Sequence, residues 1–527
     1  MSVSFKADEK EPPISNLRHR LISLGVVALA LGLAFSAASV RRSKPPHTSA
    51  PQSAAAQVDA WLEAEWKTQQ ITPAARVEPL QVLRRLSLAL LGTVPSLEEV
   101  RAFEADARAD RLERWVAARL SDPRHHRYFA ERLARAFVGT HRGSFIIYRR
   151  DLLVDWLEAQ LAARRPFDAL VRDLIASNGL WTGSPATNFV TAGAVEGTID
   201  PQMLAGKTAR AFLGIRMDCA QCHDHPFADW KQQQFKDLAA FYEGQRATAF
   251  GLKLETPPAA PHAPFGAEWL PAQGSPREKL AAWVTSPDNP RFGRAVSNRV
   301  WGLLFGRPFS DPVDDVPDPG DAKTALLDVL AKDFVAHGYD LRRLIASIAT
   351  SRAFALGSEL PAEVERKKHE AAWAVFPLTP LRPEQLVGSA LQAANPRTID
   401  SNSHVVVRAV RLLREKGFVD EYGDPGDDEL APRAATVAQA LLRLNGKMSE
   451  ELVEPNPFTT VGRSAMLSNA PSAALESVWL AFLARRPTAA ELAAFLPRLE
   501  VKGDARGKAL SDLAWALFNS GEFAWNH

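Results

Sequence analysis

The chain has 527 residues, too long for one ordinary domain, so more than one core is expected. Its 46% hydrophobic and 24% charged residues are globular values and exclude wholesale disorder. A net charge of +2, with no basic stripe interleaved with aromatics, excludes nucleic acid as a partner.

Residues 1–20 carry Lys6, Lys10, Arg18 and Arg20 and are expected on the cytoplasmic side. The next stretch, LISLGVVALALGLAFSAASV (Leu21 to Val40), holds no charge. As a helix it would be about 30 Å long, enough to cross a bilayer. A cleavable signal peptide is the rival reading, with Ser36, Ala37 and Ala38 as a small-residue cleavage site. The apolar run exceeds a usual signal core, which favours a retained transmembrane anchor at 21–40. Both readings export the rest of the chain. Residues 41–57 are rich in Pro, Ser and Ala and read as a tether.

Beyond the tether, Ala, Leu, Arg and Glu dominate, and the Val/Ile/Thr alternation of strands is scarce. The chain therefore reads as all-α, with two helical domains behind the N-terminal transmembrane helix. The first spans 58–253. A Pro-rich linker, 254–276, denies helix and separates it from the second, 277–527. Gly417 to Pro432 interrupts that second domain, which ends in an apolar helix around Leu513–Phe518 that needs a partner face. Ser96 with Glu99, and Thr488 with Glu491, have the spacing of capping boxes and predict helix starts.

Both cysteines of the chain fall in CAQCHDHPFADW, Cys219 to Trp230. Two cysteines placed at random fall three apart with a following histidine about once in ten thousand chains of this kind. Cys219, Cys222 and His223 have the C-x-x-C-H spacing that attaches haem c: two thiols to add across the vinyl groups and an imidazole to ligate iron. Four other readings stand beside it. A structural zinc site wants four ligands, and a C-x-x-C pair normally meets a second pair further along, where this chain offers only His225 and nearby carboxylates. His223, His225 and Asp229 offer ligands for a catalytic zinc or iron without sulfur. Export permits a Cys219–Cys222 disulfide. A thioredoxin-like pair would want a βαβ context, which helical surroundings do not offer. For a second axial ligand the chain offers Met203, Met217, His125, His126 and His141. Each of these reads more simply as core or surface.

Other motifs are negative. Ala205-Gly206-Lys207-Thr208 lacks the upstream glycine of a phosphate loop, where Pro201 stands instead. Asp311, Asp314, Asp315, Asp318 and Asp321 lack calcium-loop spacing. They read as turn residues pairing with Arg299 or Arg307 after a helix ended at Gly306.

Taken together, AFLGIRMDCAQCHDHPFADWKQQQFKDLAAFY (Ala211–Tyr242) resembles the hallmark of the DUF1549 family, the planctomycete cytochrome-type domain 2. LRRLSLALLGTVPSLEEV (Leu83–Val100) and RPFDALVRDLIASNG (Arg165–Gly179) agree with it. The second half resembles DUF1553, its usual companion, in SPDNPRFGRAVSNRVWGLLFGRPFSDPVDD (Ser286–Asp315) and GYDLRRLIASIATSRAF (Gly338–Phe354). QALLRLNGK (Gln439–Lys447) and ALFNSGEFAWNH (Ala516–His527) are similar as well. The resemblance spans roughly residues 58–527. It implies an exported bacterial protein, grouped with cytochrome c-like modules. The chain departs from many relatives at Phe129-Ala130-Glu131-Arg132-Leu133, where they carry a Trp/His-rich helix, and this sequence shows no separate N-terminal haem c module of the kind some relatives possess.

The expectation is a single-pass protein of a bacterial inner membrane with its bulk in the periplasm. It would be a redox component with haem c on Cys219, Cys222 and His223, working with a redox partner or envelope complex. A metal-dependent hydrolase using the His/Asp cluster, or a scaffold with a closed disulfide, are the alternatives.

Overall fold

Ser96 and Thr488 start helices in the way their sequence context predicts. Ser96 Oγ accepts from Glu99 N–H at 3.1 Å while Glu99 Oε2 accepts from Ser96 N–H at 3.0 Å. Thr488 and Glu491 repeat the exchange at 3.2 and 2.7 Å. Each pair satisfies two amides that the first helical turn leaves without partners.

The computed structural model describes residues 52–140, 147–256, 261–424, 426, 430, 436–501 and 503–527. The expected anchor, 21–40, lies outside them, as do His141 and most of the tether. Among the described residues no helix is long and apolar enough to cross a membrane.

The described residues are mostly helical, with 61% helix and 4% strand. The strands correct the all-α expectation in detail. Ala194–Val195, Thr198–Ile199, Gln245–Thr248 and Gly251–Leu254 form a four-stranded antiparallel sheet in chain order. Gly197, at φ +84°, lies in the first turn, and Gly251, at φ +116°, opens the last strand opposite Thr248. A Cβ on Gly251 would come within 2.6 Å of the Gly179 backbone, so the hairpin closes only on glycine there. Thr379–Pro380 pairs with Trp525–Asn526 in a second, two-stranded sheet.

Residues from Pro51 to His527 form one compact unit. Its apolar interior has two clusters. The first draws mostly on residues from Val58 to Phe376, with Leu430, Leu480 and Ala484 added from later in the chain, and centres on aromatic contacts such as Trp301 with Phe305, Phe309 and Trp373. The second gathers Leu381 to Ala524, and it includes Leu510, Leu513, Leu517 and Phe518 of the C-terminal helix. The sequence predicts that this helix needs a partner face, and the second cluster supplies it. Each such side chain contributes about 1.5–3 kcal/mol by leaving water.

The first cluster takes side chains from both sides of the Pro-rich stretch 254–276. Phe265 packs 4.8 Å from Trp283, and Trp283 Nε1 donates to the Phe265 carbonyl at 3.0 Å. The prolines do deny helix, but the aromatics between them make the stretch a wall of the first cluster. Leu88 and Val94, early in the chain, belong to the second cluster, so the Pro79–Leu91 helix serves both.

Candidate functional site

The cysteine loop begins where a helix is forced to stop. Asp200 caps the helix Pro201–Thr208 by accepting from the amides of Gln202 and Met203 at 2.9 and 3.0 Å. The helix widens into a π-turn over Ala209–Leu213 and ends at Gly214, φ +61°. A Cβ at Gly214 would sit 2.9 Å from Val316 Cγ2, and the Gly214 carbonyl accepts from Val316 N–H at 2.8 Å. Two residues on, Arg216 reaches Asp314 at 2.8 Å. The loop therefore leaves from a base fixed to the segment 314–316. These contacts revise the expected pairing of the aspartates: Asp314 bonds Arg216, and Asp318 bonds Arg291.

From that base, Met217 and Ala220 point into the core while Cys219 and Cys222 face solvent on the 3₁₀ turn Asp218–Gln221 and its C-cap. Both thiols are free. The descending arm is latched to the helix Gln232–Ala240. Gln232 Nε2 donates to the carbonyls of Cys222 and Gln221 at 2.7 and 3.3 Å. Asp224 Oδ1 accepts the Gln232 amide at 2.9 Å, and Asp224 Oδ2 meets Lys231 Nζ at 3.2 Å. The Gln232 amide and then the Lys231 ammonium hold the Asp224 carboxyl below its ordinary range. His225 N–H closes the loop on the Trp230 carbonyl at 2.8 Å.

The two histidines are held in opposite tautomers. His223 Nδ1 lies 2.7 Å from the Asp224 carbonyl, which can only accept. In the neutral ring the proton is therefore on Nδ1, and Nε2 carries a lone pair with no hydrogen-bond partner among the described residues. His225 Nδ1 instead accepts the Phe227 amide at 3.2 Å, which puts the proton of the neutral ring on Nε2. His223 is thus prepared to bind a metal through Nε2 and neutral His225 is prepared to donate.

This donor set fits haem c: two reachable thiols and one imidazole with a lone pair on Nε2, its other nitrogen fixed by a carbonyl. Among the described residues no group of three or more His, Cys, Asp or Glu side chains is gathered to hold a metal ion, which covers Cys219, Cys222 and His223 as well as His223, His225 and Asp229.

The second-ligand candidates separate cleanly. His125 is buried with Nδ1 3.0 Å from the Leu90 carbonyl, and burial pushes its pKa down to about 3. His126 Nε2 is engaged by the Leu120 carbonyl at 3.2 Å and Arg342 Nη2 at 2.8 Å. Met217 is core. Met203 is exposed, and its neighbour Gln202 hydrogen-bonds Gln221 inside the motif. Sequence reasoning missed Gln232 and Asp224 as the latch, although Gln at the start of the next helix was a local signal for it.

A polar cleft of about 660 Å³ opens elsewhere, beside the departing helix Pro123–Val138. Its buried arginines pair within the wall, Arg132 with Glu384 and Arg135 with Asp424. Among the described residues no cysteine or histidine lines it.

No curated protein and no solved structure matches the chain. A family model described as PSCyt2, protein of unknown function (DUF1549), matches residues 57–247 and so contains the whole cysteine loop. A second, PSD1, protein of unknown function (DUF1553), matches 276–499. The chain belongs to these two families, joined in that order.

Proposed function

We propose that the protein is an exported redox component, held to a bacterial inner membrane by residues 21–40, that carries one haem c at the 219–223 loop. The observation that carries this reading is His223 Nδ1 held 2.7 Å from the Asp224 carbonyl, which leaves Nε2 without a hydrogen-bond partner among the described residues, in the same exposed loop as two free thiols. Cys219 and Cys222 would hold the porphyrin covalently, and His223 Nε2 would ligate the iron. When bound, haem c supplies one-electron transfer.

The chain's own residues do the positioning. Asp224 fixes the ring of His223 through its backbone carbonyl and fixes the loop through its side chain. Gln232 holds the carbonyl of Cys222, which sets the second thiol relative to the first. Exposure of the whole loop suits transfer to a partner protein, because electron donors and acceptors must approach closely.

The test is expression of the full chain with a cytochrome c maturation system, followed by denaturation and peroxidase staining. Covalently retained haem, lost in Cys219→Ala and Cys222→Ala, supports the reading. A colourless protein with stoichiometric zinc or iron points to the hydrolase. A colourless, metal-free protein with its thiols oxidised points to the scaffold.

A further inference from the structure

The cysteine loop belongs to the part matched by the first family, yet both of its ends rest on one segment of the second. Its start is tied to that segment through Gly214 with Val316 and Arg216 with Asp314. Its end is Trp230, whose carbonyl takes the His225 amide at 2.8 Å and so closes the loop. The Trp230 ring is half-buried, its centroid 5.9 Å from that of Phe265. Arg291 reaches over both rings, its guanidinium carbon 5.5 Å from the Trp230 centroid and 5.8 Å from that of Phe265. Asn289 caps the helix Pro290–Phe305 by accepting the Arg291 amide at 3.1 Å, which places Arg291 in the first turn. Asp318 bonds the same guanidinium. Asp314, Val316 and Asp318, alternate residues of one run, thus serve the two ends of one loop.

Between those ends the loop has little regular structure of its own beyond the 3₁₀ turn Asp218–Gln221. Such a segment keeps one shape only while its ends keep theirs. The Trp230 ring and the carbonyl that holds His225 belong to one residue, so pinning the ring limits how far the carbonyl turns. Arg291 suits the task because a planar cation packs well against aromatic faces. Burial, then Arg294, lowers its pKa to about 10, so it is charged at neutral pH. Its side chain is 11% exposed, so water competes little for the contact. We propose that Arg291 is a positioning residue for the cysteine loop, clamping Trp230 so that segment 290–318 sets how Cys219, Cys222 and His223 are presented. The proposal goes beyond the haem reading, since the clamp serves any chemistry the loop performs.

The test is amide hydrogen exchange in the full chain, read on peptides covering 219–230 and 295–305. Arg291→Ala should speed exchange of 219–230 about tenfold and leave 295–305 as it was. Trp230→Ala should do the same, and Trp230→Phe, which keeps a ring under the guanidinium, should restore the natural rate. Asp318 is 83% exposed, so Asp318→Ala folds as the natural chain does; it should speed the loop by about threefold, and it decides the question if Arg291→Ala does not fold. Exchange of 219–230 that ignores these substitutions overturns the proposal. So does exchange that quickens equally in 295–305, which would make Arg291 a general packing residue. In haem-loaded protein the reduction potential gives a second reading: Arg291→Ala and Trp230→Ala should move it, and Trp230→Phe should not. A chain that takes up no haem sinks the haem reading alone, and the exchange result still decides the role of Arg291.

Discussion

Arg84 and Arg85, consecutive in one helix and both buried, bond backbone carbonyls in different parts of the chain. Arg84 reaches Phe482 and Phe523, each at 3.0 Å, in the second cluster. Arg85 reaches Phe354 at 3.0 Å, Leu356 at 2.6 Å and the terminal His527 at 2.6 Å, with its guanidinium 3.7 Å from the Phe376 ring centroid. Successive side chains on a helix leave about 100° apart, so one helix can serve two directions. Together the pair ties the Pro79–Leu91 helix to both clusters.

Arg84→Met and Arg85→Met should therefore each destabilise the chain by about 2–5 kcal/mol, because several buried carbonyls lose their donor at once. Urea unfolding checks this. A loss under about 1 kcal/mol in either variant would mean that water replaces the guanidinium.

What was legible in the sequence was local. The Ser96 and Thr488 caps and the C-x-x-C-H spacing each involve residues within a few positions, and the structure forms both caps as read. The roles of Arg84 and Arg85 were not legible, because their partners lie hundreds of residues away and are backbone atoms without sequence identity. The same physics hid the core division. The family models part between residues 247 and 276, at the Pro-rich stretch, whereas the two apolar clusters interleave along the chain, with Leu88 and Val94 in the second and Leu430, Leu480 and Ala484 in the first. Nothing local in Leu88 or Val94 says that they pack against Leu381 and its neighbours. The histidine tautomers were hidden for another reason: they depend on which way two backbone groups point, Asp224 C=O and Phe227 N–H.

His125 makes the fold acid-sensitive. Its folded pKa is pushed down to about 3 by burial, then by the charges of His126 and Arg342, against an ordinary value of 6.5. Below 6.5 the unfolded chain takes up a proton that the folded chain refuses, so stability falls as pH drops and is level above it. The slope should approach about 1.4 kcal/mol per pH unit. Urea midpoints from pH 7 to 4.5 should fall less in His125→Phe than in the natural chain. Parallel curves would sink the assignment.

The latch should govern local order without governing the fold. Gln232→Ala is expected to speed amide exchange across 219–230 by about tenfold while leaving the melting temperature in place. The Asp224 contacts favour its ionised form, so they persist at neutral pH and through the ordinary carboxylate range, and are lost only when pH falls below it. Unchanged exchange in Gln232→Ala would show that the loop is held from its base at Gly214 and Arg216 alone.

Both thiols face solvent and neither is bonded, so the apo protein, kept reduced, should react with a thiol reagent in native buffer at the same level as after denaturation. Attached haem should abolish that reaction. Thiols that titrate only after denaturation would place the loop inside the fold.

The last prediction separates the two histidines. His223 offers Nε2 as a lone pair, while His225 has its Nδ1 occupied by the Phe227 amide and the proton on Nε2. In haem-loaded protein, His223→Ala should keep the covalent haem, because Cys219 and Cys222 remain, yet change the absorption spectrum and open the iron to added imidazole. His225→Asn keeps an acceptor at the loop and should leave the spectrum as it was. A metal site built on both histidines predicts something else: either substitution would then release the metal, and a colourless protein would lose it equally from both. Equal damage from the two variants would therefore remove the assigned tautomers and, with them, the reason to single out His223.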